Sequence, residues 1–529
     1  MNDSALILAH QIAEMAVAEP NRDVVTFENG EGADEIRTYQ QLWDNGRRIA
    51  KALTAEGMRK GDCFGLLMQN HPEFIDSMIG SSIVGTVFVP IDPRARGDKL
   101  AYLLRHADCQ GIVCADYSFG SVAELLDRLS NLEWIWVLRS SLAMPEGATG
   151  RRLRLLSDVL SGPVPELAIQ VNDASDPMEV MYTSGTTGDP KGVVVRHNRW
   201  GAVGNWAGVL GFKREDRPYT GLSLTHGNAQ LVTLATALKL GMRAVFSRKF
   251  TKSRLWDISR KYGCTVFNLL GGMTTAIYSE PERADDKDNP VRFVLSAGMP
   301  AAIWKDFERR FNLQVTEFYG AVEGGLTINP MGVGPVGSIG KPPPSVIARI
   351  VDENDRDVGP FEHGEIIFQA ADGTALVVDY FHDPEASANK IRGGWLRMGD
   401  IGHFDNEGWM YFDYRAGGGI RHNGEFVNAG FVEKAIAESP DVSDVFVYGV
   451  AATSGSPGEK DVVAAIVLEK GIRFDPAALF SLCQQKLEAN FIPSYLQVVD
   501  EIPKTASEKP LERFLLEAFS PHAANVYSE

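Results

Sequence analysis

Ten consecutive residues, Thr183-Ser184-Gly185-Thr186-Thr187-Gly188-Asp189-Pro190-Lys191-Gly192, carry side chains suited to one kind of chemistry. The glycines let backbone N–H groups close on an anion, the hydroxyls of Thr183, Ser184, Thr186 and Thr187 donate to it, and Lys191 adds a compact positive charge. That combination suits a polyphosphate. A flexible polar turn would have the same composition, so residue types alone leave both readings open. The P-loop pattern is excluded, because it needs Gly-Lys-Ser/Thr and here Lys191 stands between Pro190 and Gly192. Cys63, Cys109, Cys114, Cys264 and Cys483 contain no CxxC pair and no metal-binding spacing. They are expected as buried free thiols in a reducing compartment rather than as a zinc or redox centre.

The rest of the chain bounds what such a loop can serve. At 529 residues there is room for several cores, and the 44% hydrophobic and 23% charged fractions are those of a packed multidomain chain. A net charge of -17 argues against broad nucleic-acid binding, so an anionic substrate has to be met by local cations and backbone donors. The most apolar stretch, residues 78–91, is interrupted by Gly80, Gly85 and Pro90 and falls short of the roughly 20 apolar residues of a membrane span. The opening MNDSALILAHQIAEM lacks the features of a secretory signal and the closing VYSE is no retention or peroxisomal address, so the cytoplasm is the expected location.

Positioning the loop falls to helices and strands that alternate for most of the length, the pattern of an α/β fold with largely parallel sheets. Apolar spacing predicts a helix over 40–53, a buried strand over 63–68, a second helix opened by His71-Pro72 and a strand over 86–91. Strands over 179–182 and 193–195 flank the loop itself. Further on, Gly417-Gly418-Gly419 follow an aromatic strand over 409–414, and three glycines in series mark the best candidate for a hinge. Beyond them lie strands predicted over 445–450 and 462–468 and a helix over 476–488, enough for a small α+β domain.

The order of residues 182–192 resembles Tyr-Thr-Ser-Gly-Thr-Thr-Gly-x-Pro-Lys-Gly, the signature of the adenylate-forming superfamily of acyl-CoA synthetases, carrier-protein adenylation domains and firefly luciferases. The resemblance extends from Gly61-Asp62 and Pro90-Ile91-Asp92-Pro93 to Lys509, with the motifs in the family's order. It implies a large N-terminal domain of stacked mixed sheets with helices, 1–414, a small mobile α+β C-terminal domain, 415–529, and a hinge near 415–419. It further implies that Glu317-Phe318-Tyr319-Gly320-Ala321-Val322-Glu323 lies over the nucleotide, with Tyr319 stacked on adenine and Glu323 holding Mg²⁺. Gly298 and Met299 belong to a small-residue loop beneath the adenine, Asp400 accepts from the ribose hydroxyls, and Arg415 also reaches the ribose. Arg421 joins the cofactor-binding set. Gly424 and Glu425 match a hairpin flanking the pantetheine tunnel, and Lys509 matches the catalytic lysine that neutralises charge at the α-phosphate. Three positions depart from the family: Val322 replaces a threonine hydroxyl near metal and phosphate, Gly418 replaces the Asp or Lys pivot, and Glu508 replaces a glycine beside Lys509.

The activity implied is two-step ligation: acid and ATP give acyl-AMP and pyrophosphate, then a thiolate, here of coenzyme A, displaces AMP. ATP, Mg²⁺ and coenzyme A are the implied cofactors, a small carboxylic acid the substrate, and no protein nucleophile is needed. His226 matches the residue that closes and gates the acyl pocket, whose remaining implied lining is Asn228, Leu270, Gly271, Gly272, Gly298, Gly324, Gly325 and Met331. Residues 253–256, 262–266 and 491–496 are most similar to the carnitine and crotonobetaine CoA ligases. No acidic residue in that lining clearly awaits a quaternary ammonium, so a medium-chain, aromatic or bulky cyclic acid stays open. Two alternatives stand beside this reading: delivery of the acyl group to a separate carrier protein, and a nucleotide-binding homologue with little turnover. No nucleic acid partner is expected, and a homodimer is left open.

Overall fold

The computed structural model describes residues 3–30, 32–140, 152–183, 190–374, 376–416, 420–422, 425–427, 429–453, 460–487, 489–505 and 510–528. The fold is α/β, with several mixed sheets and helices in the long N-terminal part and a small α+β domain at the C-terminal end. Two compact units interleave along the sequence. One comprises Met1–Thr251, Lys261–Asn268 and Val377–Ile391, the other Lys252–Arg260, Leu269–Leu376 and Arg392–Glu529.

In the first unit a seven-stranded sheet runs in the order Arg152–Leu155, Trp134–Leu138, Gly111–Ala115, Cys63–Leu67, Val87–Pro90, Pro177–Thr183, Lys191–Arg196. Every pair but the last is parallel. Cys63–Leu67 and Gly111–Ala115 are buried at every residue, which is why they read as unbroken apolar runs: helices cover both faces of a parallel sheet. The helix Pro72–Val84 starts with proline at its first turn, where a missing N–H costs nothing, and ends at Gly85 with φ +84°. Tyr39–Ala55 starts from a reciprocal cap in which the Thr38 side chain accepts from Gln41 N–H and the Gln41 side chain accepts from Thr38 N–H. A second sheet in this unit sets Glu35–Thr38, Asp23–Glu28, Ala244–Ser247 and Pro218–Thr220 side by side, followed by the first residues of Val266–Leu270.

One buried side chain joins the carboxyl ends of these two sheets. Asn70, just past Cys63–Leu67, donates to Leu222 O at 2.9 Å and Ser247 O at 2.8 Å and accepts from Leu224 N–H at 2.7 Å. It thereby fixes the segment leading into His226.

In the second unit, Phe293–Ala297 pairs in parallel with Gln314–Ala321, which turns tightly into the antiparallel Gly324–Asn329. Val346–Val351, Gly364–Ala370, Trp395–Phe404 and Met410–Arg415 form an antiparallel sheet. The expectation of largely parallel sheets therefore holds for the first unit and not here. Links as short as those after Ala321 and Phe404 can join only antiparallel neighbours, since a parallel pair needs a crossover of a dozen or more residues. The C-terminal sheet orders Val442–Ala451, Lys460–Leu468, Tyr495–Val498 and Val526–Ser528. Its core is built from Val432, Ile436, Ile466, Leu479, Phe480 and Leu496.

All five cysteines are buried and free, and burial pushes the Cys63, Cys114 and Cys264 thiols up to about 12, which keeps them protonated and inert. Among the described residues no helix is long and apolar enough to cross a membrane.

Candidate active site

Three of the residues expected at the nucleotide meet in the second unit. The Tyr319 hydroxyl donates to Asp400 Oδ2 at 2.5 Å, and Arg415 Nη1 donates to Asp400 Oδ1 at 2.9 Å. Strand pairing sets up the second contact, because Asp400 and Arg415 are direct partners across Trp395–Phe404 and Met410–Arg415. Asp400 is 5% exposed, whereas the Arg415 side chain is about half exposed at 47%. Burial, with the Asp400 charge second, raises the Tyr319 phenol well above its ordinary value, so it stays a donor. Its ring lies 6.2 Å from that of Phe368 and 6.4 Å from that of Phe412.

Glu317, expected in the nucleotide-binding segment, makes its contacts with the neighbouring loop. Its buried carboxylate accepts from Gly298 N–H at 2.5 Å and Met299 N–H at 3.1 Å, and it sits beside Ser296 in the parallel register. Desolvation pushes this carboxyl up to about 7, opposed by those two N–H groups. Glu317 thus shapes the loop expected beneath the adenine. Gly298, at φ +101°, holds a conformation that few other residues tolerate. A Cβ on Gly271 would come within 2.9 Å of Gly298 O, so these two glycines are brought together next to Leu270. Gly272 follows at the start of the helix Gly271–Tyr278.

Val322 and Glu323 form the half-buried turn after Gln314–Ala321, which also carries Phe318 and Gly320. Gly324 and Gly325 open the returning strand. Gly325 has φ +74°, and a Cβ there would lie 2.6 Å from Phe368 Cδ2. Met331 follows the same strand, half-buried.

In the first unit, Thr183 and Lys191 pair across the base of the expected phosphate loop. Lys191 Nζ lies 4.0 Å from Asp383 Oδ2 and 5.4 Å from the centre of the Tyr380 ring. Ser184, Gly185, Thr186, Thr187, Gly188, Gly424 and Lys509 lie outside the described residues. Arg421 and Glu425 belong to the paired strands Ile420–His422 and Glu425–Val427.

The residues of the first unit expected at the acyl pocket, and their neighbours, form separate hydrogen-bonded groups. His226 Nδ1 accepts from Asn228 N–H at 3.2 Å, so the neutral ring carries its proton on Nε2. Asn228 then opens a π-helix, Asn228–Ala235, a geometry frequent at functional sites. Asn268 Nδ2 donates to Asn228 Oδ1 at 2.6 Å and to Thr233 Oγ1 at 2.8 Å. One group escaped the sequence reading: Glu179, fully buried, whose Oε2 accepts from Gln230 Nε2 at 3.0 Å. Burial pushes its carboxyl up to about 8, so it is neutral at pH 7. The available signal was a charge in the middle of an apolar strand. Asn70 escaped as well, although a polar residue closing a buried strand was visible in the sequence.

A family model described as AMP-binding enzyme matches residues 12–375, and one described as AMP-binding enzyme C-terminal domain matches 432–509. The chain belongs to the AMP-binding enzyme family. Its curated relatives include a crotonobetaine/carnitine–CoA ligase of Salmonella paratyphi B, 28% identical over 519 residues, covering 95% of this chain and 97% of that one. The enzyme of the same name from Proteus mirabilis is 28% identical over 517 residues, with the same coverage. Among solved structures, an anthranilate CoA ligase in complex with anthranoyl-AMP superposes with a TM-score of 0.82 at 22% identity, covering 96% of each chain. The Bacillus subtilis o-succinylbenzoate CoA synthetase with its acyl-adenylate gives 0.76 at 24%, covering 96% of this chain and 98% of that one. This AMP-binding enzyme therefore shares its fold with acyl-adenylate-forming ligases over nearly its whole length.

Proposed function

We propose that the protein is an ATP-dependent carboxylic acid:CoA ligase. The observation that carries the reading is the linkage of Tyr319, Asp400 and Arg415: a buried carboxylate held between a phenol and a guanidinium is a pre-formed acceptor for two ribose hydroxyls. Arg415, half exposed, then turns to the nucleotide. The Glu317-held loop carrying Gly298 and Met299 offers the adenine a surface whose backbone donors are already engaged.

In the first step a carboxylate oxygen attacks the α-phosphorus and pyrophosphate leaves. In the second the CoA thiolate attacks the acyl carbon and AMP leaves with the bonding pair. The chain's own share is to bind, orient and neutralise charge, with Lys509 and the 183–192 loop meeting the phosphates. Glu323 fits Mg²⁺, which takes one or two carboxylates together with phosphate oxygens and water, and which would neutralise the polyphosphate; Val322 adds no donor beside it. We take 1–414 as the adenylating domain and 415–529 as a mobile domain turning near 415–419, of which 417–419 lie outside the described residues.

Asn228, Asn268, Gln230 and the protonated Glu179 are polar without charge, which favours an acid whose acyl part is uncharged over a quaternary ammonium. The decisive experiment is ATP–pyrophosphate exchange over a panel of acids, with the adenylate identified by mass and its discharge followed after adding CoA. Exchange with CoA-dependent thioester formation supports the reading. Exchange whose adenylate CoA leaves intact points to a separate carrier protein, and no exchange with any acid sinks both.

A further inference from the structure

On and beside the strands that carry Asp400 and Arg415, three further side chains of the second unit's antiparallel sheet converge. His363 immediately precedes Gly364–Ala370, His403 lies in Trp395–Phe404 and Asp413 in Met410–Arg415. The pairing of Gly364 with Gly402 brings His363 beside His403. On the other side, Ile401 pairs with Tyr414 and Gly402 with Phe412, which leaves Asp413 as the extra residue of a β-bulge. Bulges re-aim side chains, and this one turns Asp413 between the two imidazoles. His363 Nδ1 lies 2.6 Å from Asp413 Oδ2, and His403 Nδ1 lies 2.9 Å from Asp413 Oδ1. The donor atoms of all three residues lie within 4.8 Å of one another.

The imidazoles are held in orientation by their surroundings. The His403 ring stacks on Tyr411 at 4.8 Å and 4°, and His363 meets His403 edge-on at 5.6 Å and 75°. Asp413 and His403 are largely covered, at 17% and 21% exposure, while His363 stands at the mouth at 45%. A site so arranged has two donors on rigid strands, a third that can adjust, and solvent access for water to complete a coordination shell.

We propose that His363, His403 and Asp413 bind one divalent transition-metal ion of the zinc, cobalt or nickel class. Two imidazole nitrogens and one carboxylate oxygen suit these ions and not Mg²⁺, which prefers six oxygens. Ligands of a tetrahedral zinc at about 2.1 Å lie about 3.4 Å apart, so the His363–Asp413 contact opens by somewhat less than an ångström. The more exposed His363 takes up that movement. Both rings bind through Nδ1 as neutral imidazoles, so on coordination the Nδ1 proton that each shares with Asp413 is given up to solvent while Nε2 holds one, a change of tautomer for a ring that is already neutral. The ion then fastens three neighbouring strands to one another.

The test is titration of the chelator-stripped full-length protein with Co²⁺, read by its visible absorption, and with Zn²⁺, read by calorimetry. One equivalent should bind in the micromolar range, indifferent to excess Mg²⁺. His403→Gln and Asp413→Asn should each weaken binding at least about tenfold. His363→Ala, at the exposed mouth, should do so with an unchanged melting curve of the metal-free protein, which separates loss of a ligand from loss of fold. Failure of Co²⁺ to develop a ligand-field spectrum, or binding that survives all three substitutions, would overturn the assignment and leave the cluster as two histidine–aspartate hydrogen bonds.

Discussion

The residues proposed for the nucleotide in the second unit and those proposed for the acyl group in the first differ in how they satisfy buried polar groups. Around Asp400 the arrangement is ionic, with a carboxylate shared by Tyr319 and Arg415 and one partner half open to solvent. Around Asn228 it is uncharged and enclosed: Asn268 bonds to Asn228 and Thr233, and Gln230 separately to Glu179, all within the core. A charged, open arrangement suits a ligand that is the same in every turnover. A closed neutral one suits shape selection, because each unmatched polar group in it is costly to leave unpaired. The difference predicts that damage to the first region lowers all rates alike and damage to the second changes which acid is preferred.

The largest effect is expected from Asp400→Ala. It removes the acceptor proposed for two ribose hydroxyls and leaves Tyr319 and Arg415 without their partner. Charge-assisted bonds contribute about 1.5–3 kcal/mol each, so the loss of two should lower kcat/KM for exchange by about two to four orders of magnitude. The fall should be the same for every acid in the panel. An altered acid ranking would break the comparison. Asn228→Ala should do the reverse: with Asn268 deprived of one acceptor and the pocket enlarged, selectivity between a small and a larger acid should move by about tenfold, while KM for ATP stays put. A uniform loss across acids would mean that Asn228 serves the fold alone.

Glu317→Gln sharpens the nucleotide side. The amide keeps one acceptor and turns its NH2 toward the other of the two backbone donors, Gly298 N–H and Met299 N–H. Loosening that loop should raise KM for ATP about tenfold, equally for all acids, with little change in kcat. A change confined to kcat would place Glu317 in the chemical step instead.

The same contrast explains what could be read from the sequence. Asp400 and Arg415 stand 15 residues apart, but a hairpin makes them cross-strand partners, and each belongs to an ordered motif. Helices and strands were legible wherever burial is one-sided or complete, as in Tyr39–Ala55 and Cys63–Leu67. Sheet direction in the second unit was not, because it is decided by link lengths rather than by apolar period. Nor was the work of Glu317, since a motif names a residue without saying whether it faces the ligand or the loop that faces the ligand. Glu179 and Asn70 act through partners 51 and 152 residues away, Gln230 and Leu222, and no local pattern marks such pairs.

Glu179 gives the smallest and cleanest effect. Its carboxyl is ordinary at 4.5 in the unfolded chain and raised to about 8 in the folded one by complete burial. Between those values the folded protein keeps a proton that the unfolded chain has released. Stability is therefore fullest below pH 4.5 as far as this group is concerned, falls as pH rises through the window, and levels off above about pH 8. Glu179→Gln keeps an amide in the same space and cannot ionise, so its loss of stability from pH 5 to pH 8 should be less steep by an amount on the order of a few kcal/mol. Scans at one fixed heating rate should show the variant gaining a few degrees over the parent at pH 8 and little at pH 5. Exchange rates at pH 7 should match, because the parent group is already neutral there. Parallel melting curves across the whole pH range would mean that Glu179 ionises in place, and the neutral character assigned to the acyl side would fall with it.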